Sequence, residues 1–157
     1  MKPANVVLSL ILILALAFGA FYYTGGTLQA QVSSINAQAA DYPDAFASIQ
    51  GVIANGTAPQ LFTADPLDDP ANYTLVDMNI SLTNRGIFDA EWLNIKVQGA
   101  TGDVAVYSLT GDGADVPARS STQVNLKLIT RAAPDSPRTI TIQYYVYGIS
   151  RTITLDA

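Results

Sequence analysis

The sequence predicts a mainly β chain in which an N-terminal transmembrane helix and a short amphipathic helix precede an antiparallel, immunoglobulin-like β-sandwich. Three observations predict it. An apolar run fills residues 6–23, interrupted only by Ser9 and Gly19. From Asn72 onward apolar and polar residues alternate with period two, and turn-forming residues recur about every 8 to 12 positions. Between these segments, "YPDAFASIQGVIANG" repeats apolar side chains at helical spacing.

The 157 residues, 49% of them hydrophobic, suffice for one domain and an anchor. Cysteine and histidine are both absent. That removes disulfides, thiol nucleophiles, metal ligation by either residue, and the commonest general base near neutral pH. The net charge is -5, and no Lys or Arg lies between Lys2 and Arg85. No clustered basic surface is available for a phosphate backbone, so nucleic acid is excluded as the expected partner.

As a helix, the 18 residues from Val6 to Tyr23 rise about 27 Å, close to the roughly 30 Å hydrocarbon core of a bilayer. Val6, Leu10, Leu14, Phe18 and Tyr22 are the residues expected to meet lipid, and the Phe21, Tyr22 and Tyr23 rings suit the headgroup layer. With Lys2 as the only early basic residue, the positive-inside bias puts the N-terminus in the cytoplasm and the C-terminal domain outside. A cleaved signal peptide is the competing reading, because Ala15-Leu16-Ala17 fits a small-x-small cleavage site. Either reading exports the remainder. Sequons at Asn55, Asn72 and Asn79 and the lack of thiols agree with export.

Next, "TLQAQVSSINAQAAD" alternates weakly and fits a first strand or a helical stalk. Residues 43–54 read as a short helix: Phe46, Ile49, Val52 and Ile53 form its stripe, Pro43 starts it and Asn55-Gly56 ends it. Three prolines and three aspartates in "TAPQLFTADPLDDPAN" then mark a boundary loop. The organisation expected is an anchor over 1–24, a stalk over 25–71 and a sandwich over 72–157.

In "YTLVDMNISLTN" Val76, Met78, Ile80 and Leu82 point one way. "NRG" breaks this strand, and "EWLNIKV" resumes with Leu93, Ile95 and Val97 inward. Strands follow in "DVAVYSL", in "TQVNLKLI", and in "TITIQYYVYGISRTITL", which doubles back near Gly148. Six strands in about 85 residues suit a sandwich of immunoglobulin-like size.

The succession "SLTNRG", "IFDAEWLNIKV" and "VPARSSTQVNLKL" resembles the water-stress (LEA-type, WHy) domains and the adhesion-type CARDB modules over residues 73–130. It departs from the LEA-type pattern at Arg85, where that pattern favours proline. The resemblance implies a sandwich that binds or spaces, with no catalytic residues to carry over.

Tests for chemistry find little. "ADPLDDP" with Asp77, and "TGDGAD" with Asp112 and Asp115, offer carboxylates to calcium but lack EF-hand spacing. Solvated turns are the simpler reading of both, with positive φ at Gly111 or Gly113. A Ser/Lys dyad would have to use Lys96 or Lys127, and no Ser-x-x-Lys occurs. No enzyme, cofactor or metal is therefore expected. Tyr144, Tyr145, Tyr147, Trp92 and Tyr107 are candidates for an aromatic face that binds glycans or peptides, and adjacent Tyr144 and Tyr145 must point to opposite sides. Tyr145, Tyr147 and Trp92 form the expected partner surface.

The function expected is that of a membrane-anchored, extracytoplasmic binding or envelope-assembly module. Its partners would be the lipid bilayer and a protein or cell-envelope component. The alternative is a pilin-like subunit that self-assembles with its N-terminal helix in a filament core. "MKPA" departs from a basic pilin leader, and Gly25-Gly26 should interrupt a long helix.

Overall fold

A computed structural model describes the backbone of residues 3–24 and 28–157, and the side chains of 6–20 and 28–157. Two helices and eight strands follow in the order α1 (Pro3–Thr24), β1 (Leu28–Gln38), α2 (Pro43–Ala54), β2 (Gln60–Leu61), β3 (Thr74–Asn84), β4 (Glu91–Gln98), β5 (Asp103–Thr110), β6 (Ser121–Thr130), β7 (Thr139–Val146) and β8 (Ile149–Asp156). The strands form two antiparallel sheets, β1-β3-β6-β5-β2 and β4-β7-β8. Setting aside the two-residue β2, this is the ABED and CFG arrangement of constant-type immunoglobulin domains. Residues 28–38, compatible in sequence with strand or stalk, are the A strand and pair with β3 from Leu28↔Asn84 to Gln38↔Thr74.

The period-two pattern places the core. Val76, Met78, Ile80 and Leu82 of β3 and Val124, Leu126 and Leu128 of β6 pack with Leu93, Ile95 and Val97 of β4 and Ile140, Ile142, Tyr144 and Val146 of β7. A second cluster lies on the other side of the larger sheet. There α2 lays Phe46 and Ile49 against Tyr73, Val104, Ala105 and Ile129. β5 is consequently buried on both faces over 103–106, which accounts for its unbroken "VAV". Pro43 occupies the first turn of α2, and Asn55, Gly56 (φ 66°) and Thr57 close its last turn through N–H bonds to Gly51, Ile53 and Val52.

The turn "NRG" is built around Asn84, which is buried. Its Nδ2 donates to the Phe88 and Val116 carbonyls at 2.8 and 2.9 Å, and its Oδ1 accepts from the Gly86 N–H at 2.9 Å. An Asx-type turn thus ends β3 and ties the loop after it to the loop before β6.

Among the described residues, no helix is long and apolar enough to cross a membrane. The expected transmembrane anchor, and the single-pass membrane localisation with the C-terminal domain outside the cytoplasm that rested on it, are corrected accordingly. Val6, Leu10, Leu14 and Phe18 are exposed on α1. The Tyr22 side chain lies outside the described residues.

One ion pair joins the two sheets. Asp103 opens β5 in the larger sheet and Arg138 immediately precedes β7 in the smaller, and both side chains are 0% exposed. Arg138 Nη2 and Nε donate to the two Asp103 oxygens at 2.7 and 2.9 Å, while Nη1 donates to the Pro134 and Ser136 carbonyls. The Ala100 N–H adds a bond to Asp103 Oδ2 at 2.8 Å. Removing one member of such a pair strands the other charge in the interior. Asp103→Asn is expected to lower stability by about 3–5 kcal/mol in urea unfolding, and the double variant Asp103→Leu/Arg138→Met to recover most of that loss.

Candidate functional site

The smaller sheet has one face in the core and one bare. Along the bare face the cross-strand partners Asn94 and Gln143 are both exposed, as are Thr152 beside Gln143 and Ser150 beside Tyr145. At one end, β4 advances from Glu91 to Asn94 while β7 retreats only from Tyr145 to Gln143. The extra residue makes a β-bulge, which puts the consecutive side chains of Glu91 and Trp92 on the outer face while Leu93 returns to the core.

Trp92 pays for this position with a φ of 57°, a left-handed conformation that L side chains disfavour by about 1–2 kcal/mol. Its ring is 72% exposed, so core packing does not compensate. The backbone is held instead by the loop before β6. Trp92 N–H donates to Asp115 Oδ1 and Ile95 N–H to Asp112 Oδ1, each at 2.9 Å. Leu93 N–H donates to the Ala114 carbonyl, its carbonyl accepts from Gly113 N–H, and Ala90 and Val116 exchange both of their bonds. Gly111 and Gly113 have φ of 86° and 74°, and a Cβ on Gly111 would approach Val124 Cγ2 to 2.9 Å. The "TGDGAD" carboxylates therefore act as hydrogen-bond acceptors for β4.

Tyr147 has the same backbone anomaly. With Gly148 it forms the two-residue turn between β7 and β8, with φ of 53° and 77°, the sign pattern of a type I′ turn. Such turns favour Asn or Gly at the first position; here a tyrosine occupies it, 70% exposed, its ring centroid 5.3 Å from that of Phe88. Tyr145, 39% exposed, stands opposite Glu91. Two open depressions of about 270 and 360 Å³ share Trp92 and Tyr145 in their walls; the first adds Asn94, Asp112 and Gln143, the second Glu91 and Gly148.

The structure thus gathers the three expected contact residues at one end of one sheet. Tyr144 is in the core, and Tyr107 is half-buried beside α2, where burial, and then the Asp77 charge, push its phenol above the ordinary range. The bulge was not read from "EWLNIKV", although Glu91 falls where the alternation of Leu93, Ile95 and Val97 calls for an apolar residue, and neither was the use of Asp112 and Asp115 as acceptors.

The other candidates are accounted for locally. In the aspartate-rich loop, Asp69 Oδ1 caps Ala71 N–H at 2.9 Å. Arg131 lies 3.6 Å from Asp68 and donates to the Tyr73 hydroxyl, while hydrogen bonds with Tyr73 and then Asn72, followed by the Arg131 charge, hold the Asp68 carboxyl below its ordinary range. Among the described residues, no three His, Cys, Asp or Glu side chains converge on a metal-sized site. Lys127 is paired with Asp77 at 3.3 Å, and Lys96 is exposed on the bare face.

No family model matches the chain, and no curated protein does. Among solved structures, it is similar to the GAE domain of yeast GGA1 (TM-score 0.43, 9% identity, 54% of this chain and 77% of that one). It is also similar to the structural-genomics target SoR45 (0.45, 12%, 83% and 85%) and to a FixG-related protein from Vibrio parahaemolyticus (0.39, 16%, 82% and 92%). These likenesses are too distant to bear on function.

If the Trp92 backbone is strained, glycine at that position should relieve it. Trp92→Gly is expected to raise stability by about 1 kcal/mol, whereas Trp92→Ala, which keeps a Cβ in the left-handed region, should not. Paired urea titrations decide, and a Trp92→Gly variant less stable than Trp92→Ala would show that the backbone there is not strained.

Proposed function

We propose that the chain is a non-catalytic β-sandwich binding module whose contact surface comprises Trp92, Tyr145 and Tyr147. The observation that carries this reading is that two large, exposed aromatic residues, Trp92 and Tyr147, are each held in left-handed backbone. Strain of this kind persists where the surrounding structure enforces it, and it concentrates at ligand-contacting positions. Rigid rings also bring large contact area at small entropic cost. The likeness of "SLTNRG" and "VPARSSTQVNLKL" to WHy and CARDB modules, which bind or space, agrees with it.

Hydroxyl-radical footprinting tests this reading without knowledge of the ligand. In an extract of the producing cells, Trp92, Tyr145 and Tyr147 are expected to react severalfold more slowly than in the purified chain. Tyr42, 53% exposed and remote in sequence from the surface, serves as the unchanged control. Equal reactivity of all four residues in both samples would remove this surface from consideration.

A second reading, a pilin-like subunit with its helix in a filament core, is supported by α1. Its side chains from Val6 to Ala20 are exposed around the whole circumference and are almost all apolar, and a helix apolar all round is stable in water only when covered. Other copies of the same helix provide that cover. Sedimentation of the full chain should then show large assemblies that Leu10→Asp/Leu14→Asp dissolves; a monomer at every concentration contradicts this reading.

A further inference from the structure

We propose that the surface around Trp92 and Tyr145 binds a neutral glycan, a carbohydrate chain without charged groups. The inference rests on the binding reading above and names its ligand class. Three properties of the surface select that class.

The β4 edge of the site is closed to strand addition. A peptide that docks by extending a sheet needs free N–H and C=O groups along an edge. On β4 these are taken up by the loop before β6, through Ala90, Trp92, Leu93 and Ile95. Recognition falls to side chains.

Those side chains are aromatic rings beside neutral groups that both donate and accept. Trp92 and Tyr145 line the same open depression, and aromatic faces are surfaces on which the C–H face of a sugar ring stacks. Asn94 and Gln143 stand directly opposite each other on adjacent strands, a spacing of about 5 Å. Each amide offers an N–H₂ and a carbonyl, which matches the neighbouring hydroxyls of a pyranose, each of which also donates and accepts. Gln143 Nε2 is already oriented by a bond to Ser150 Oγ at 2.9 Å. The depressions are open rather than enclosed, which suits a chain lying along the sheet better than a buried small molecule.

The local charge excludes the anionic alternatives. Glu91 and Asp112 line the depressions with the rings, Asp115 accepts from the Trp92 N–H, and Lys96 is exposed on the same outer face. Polymers bearing phosphate, sulfate or carboxylate would be repelled.

The chain contains one tryptophan, so its emission reports this site alone. The full chain is titrated with maltohexaose, cellohexaose and mannohexaose, with polygalacturonate as the anionic control and a polyproline peptide as the peptide control. At least one neutral hexaose is expected to shift the emission saturably. Tyr145→Ala should weaken that binding by about tenfold, the equivalent of about 1.4 kcal/mol, within the range of one aromatic contact. Asn94→Ala/Gln143→Ala, which leaves the rings in place, should weaken it as well. For Trp92→Ala, retardation in gels containing the corresponding polysaccharide replaces emission, and it should be lost while the unfolding midpoint is kept.

No shift with any neutral hexaose overturns the proposal. So does a shift with polyproline or polygalacturonate alone. If the footprint in cell extract still shows Trp92 protected, the glycan class is wrong and the binding surface stands; if Trp92 is as reactive there as in the purified chain, both fail.

Discussion

The fold depends on a charge pair placed where water cannot reach it. Asp103 begins a strand of the larger sheet and Arg138 introduces a strand of the smaller, so the bidentate contact fixes how the two layers meet. Burying both charges is expensive, and the expense is offset only if each remaining donor and acceptor has a partner. Here the Pro134 and Ser136 carbonyls and the Ala100 N–H provide them. The same corner is closed by reciprocal backbone bonds between Arg138 and Ala157, both at 2.9 Å. A hydrophobic corner would hold the sheets together but would tolerate sliding, whereas a planar fork against a carboxylate admits one register.

With the layers fixed, the two outer faces are treated differently. The larger sheet is covered at its β5 side by α2, inserted between the A and B strands, so that β5 is buried on both faces. The smaller sheet keeps an outer face of amides and hydroxyls, and its β4 edge is sealed by a loop rather than by a neighbouring strand. That seal serves two purposes. It satisfies an edge that would otherwise invite pairing with another chain, and its two aspartates hold the bulge on which Trp92 stands.

The residues that pattern could find were those that alternate. Val76 to Leu82, Leu93 to Val97 and Ile140 to Val146 revealed their inward faces because a strand with one wet side must alternate. The helix at 43–54 was legible from Pro43, its apolar stripe and Asn55-Gly56. The A strand was not, because "LQAQVSSINAQ" has small and neutral side chains on both faces and its pairing with β3 is a long-range choice. The ion pair was equally hidden, since Asp103 and Arg138 are 35 residues apart and look like ordinary loop charges. At the candidate site, the outward direction of Trp92 followed from alternation. Its left-handed backbone did not, because the extra residue appears only when β4 is matched against β7. The apolar run at the N-terminus was read from its length and its flanking residues, and among the described residues no helix meets the requirement for crossing a bilayer.

The loop that carries Asp112 and Asp115 has a further meaning for descent. It touches the core through few side chains, Val116 among them, yet it sets the pose of the most exposed ring in the sandwich. Substitutions there re-aim Trp92 while the Asp103–Arg138 corner and the packed strands stay as they are. Selection can therefore reshape this surface by drift in a handful of loop positions, with the scaffold inherited intact.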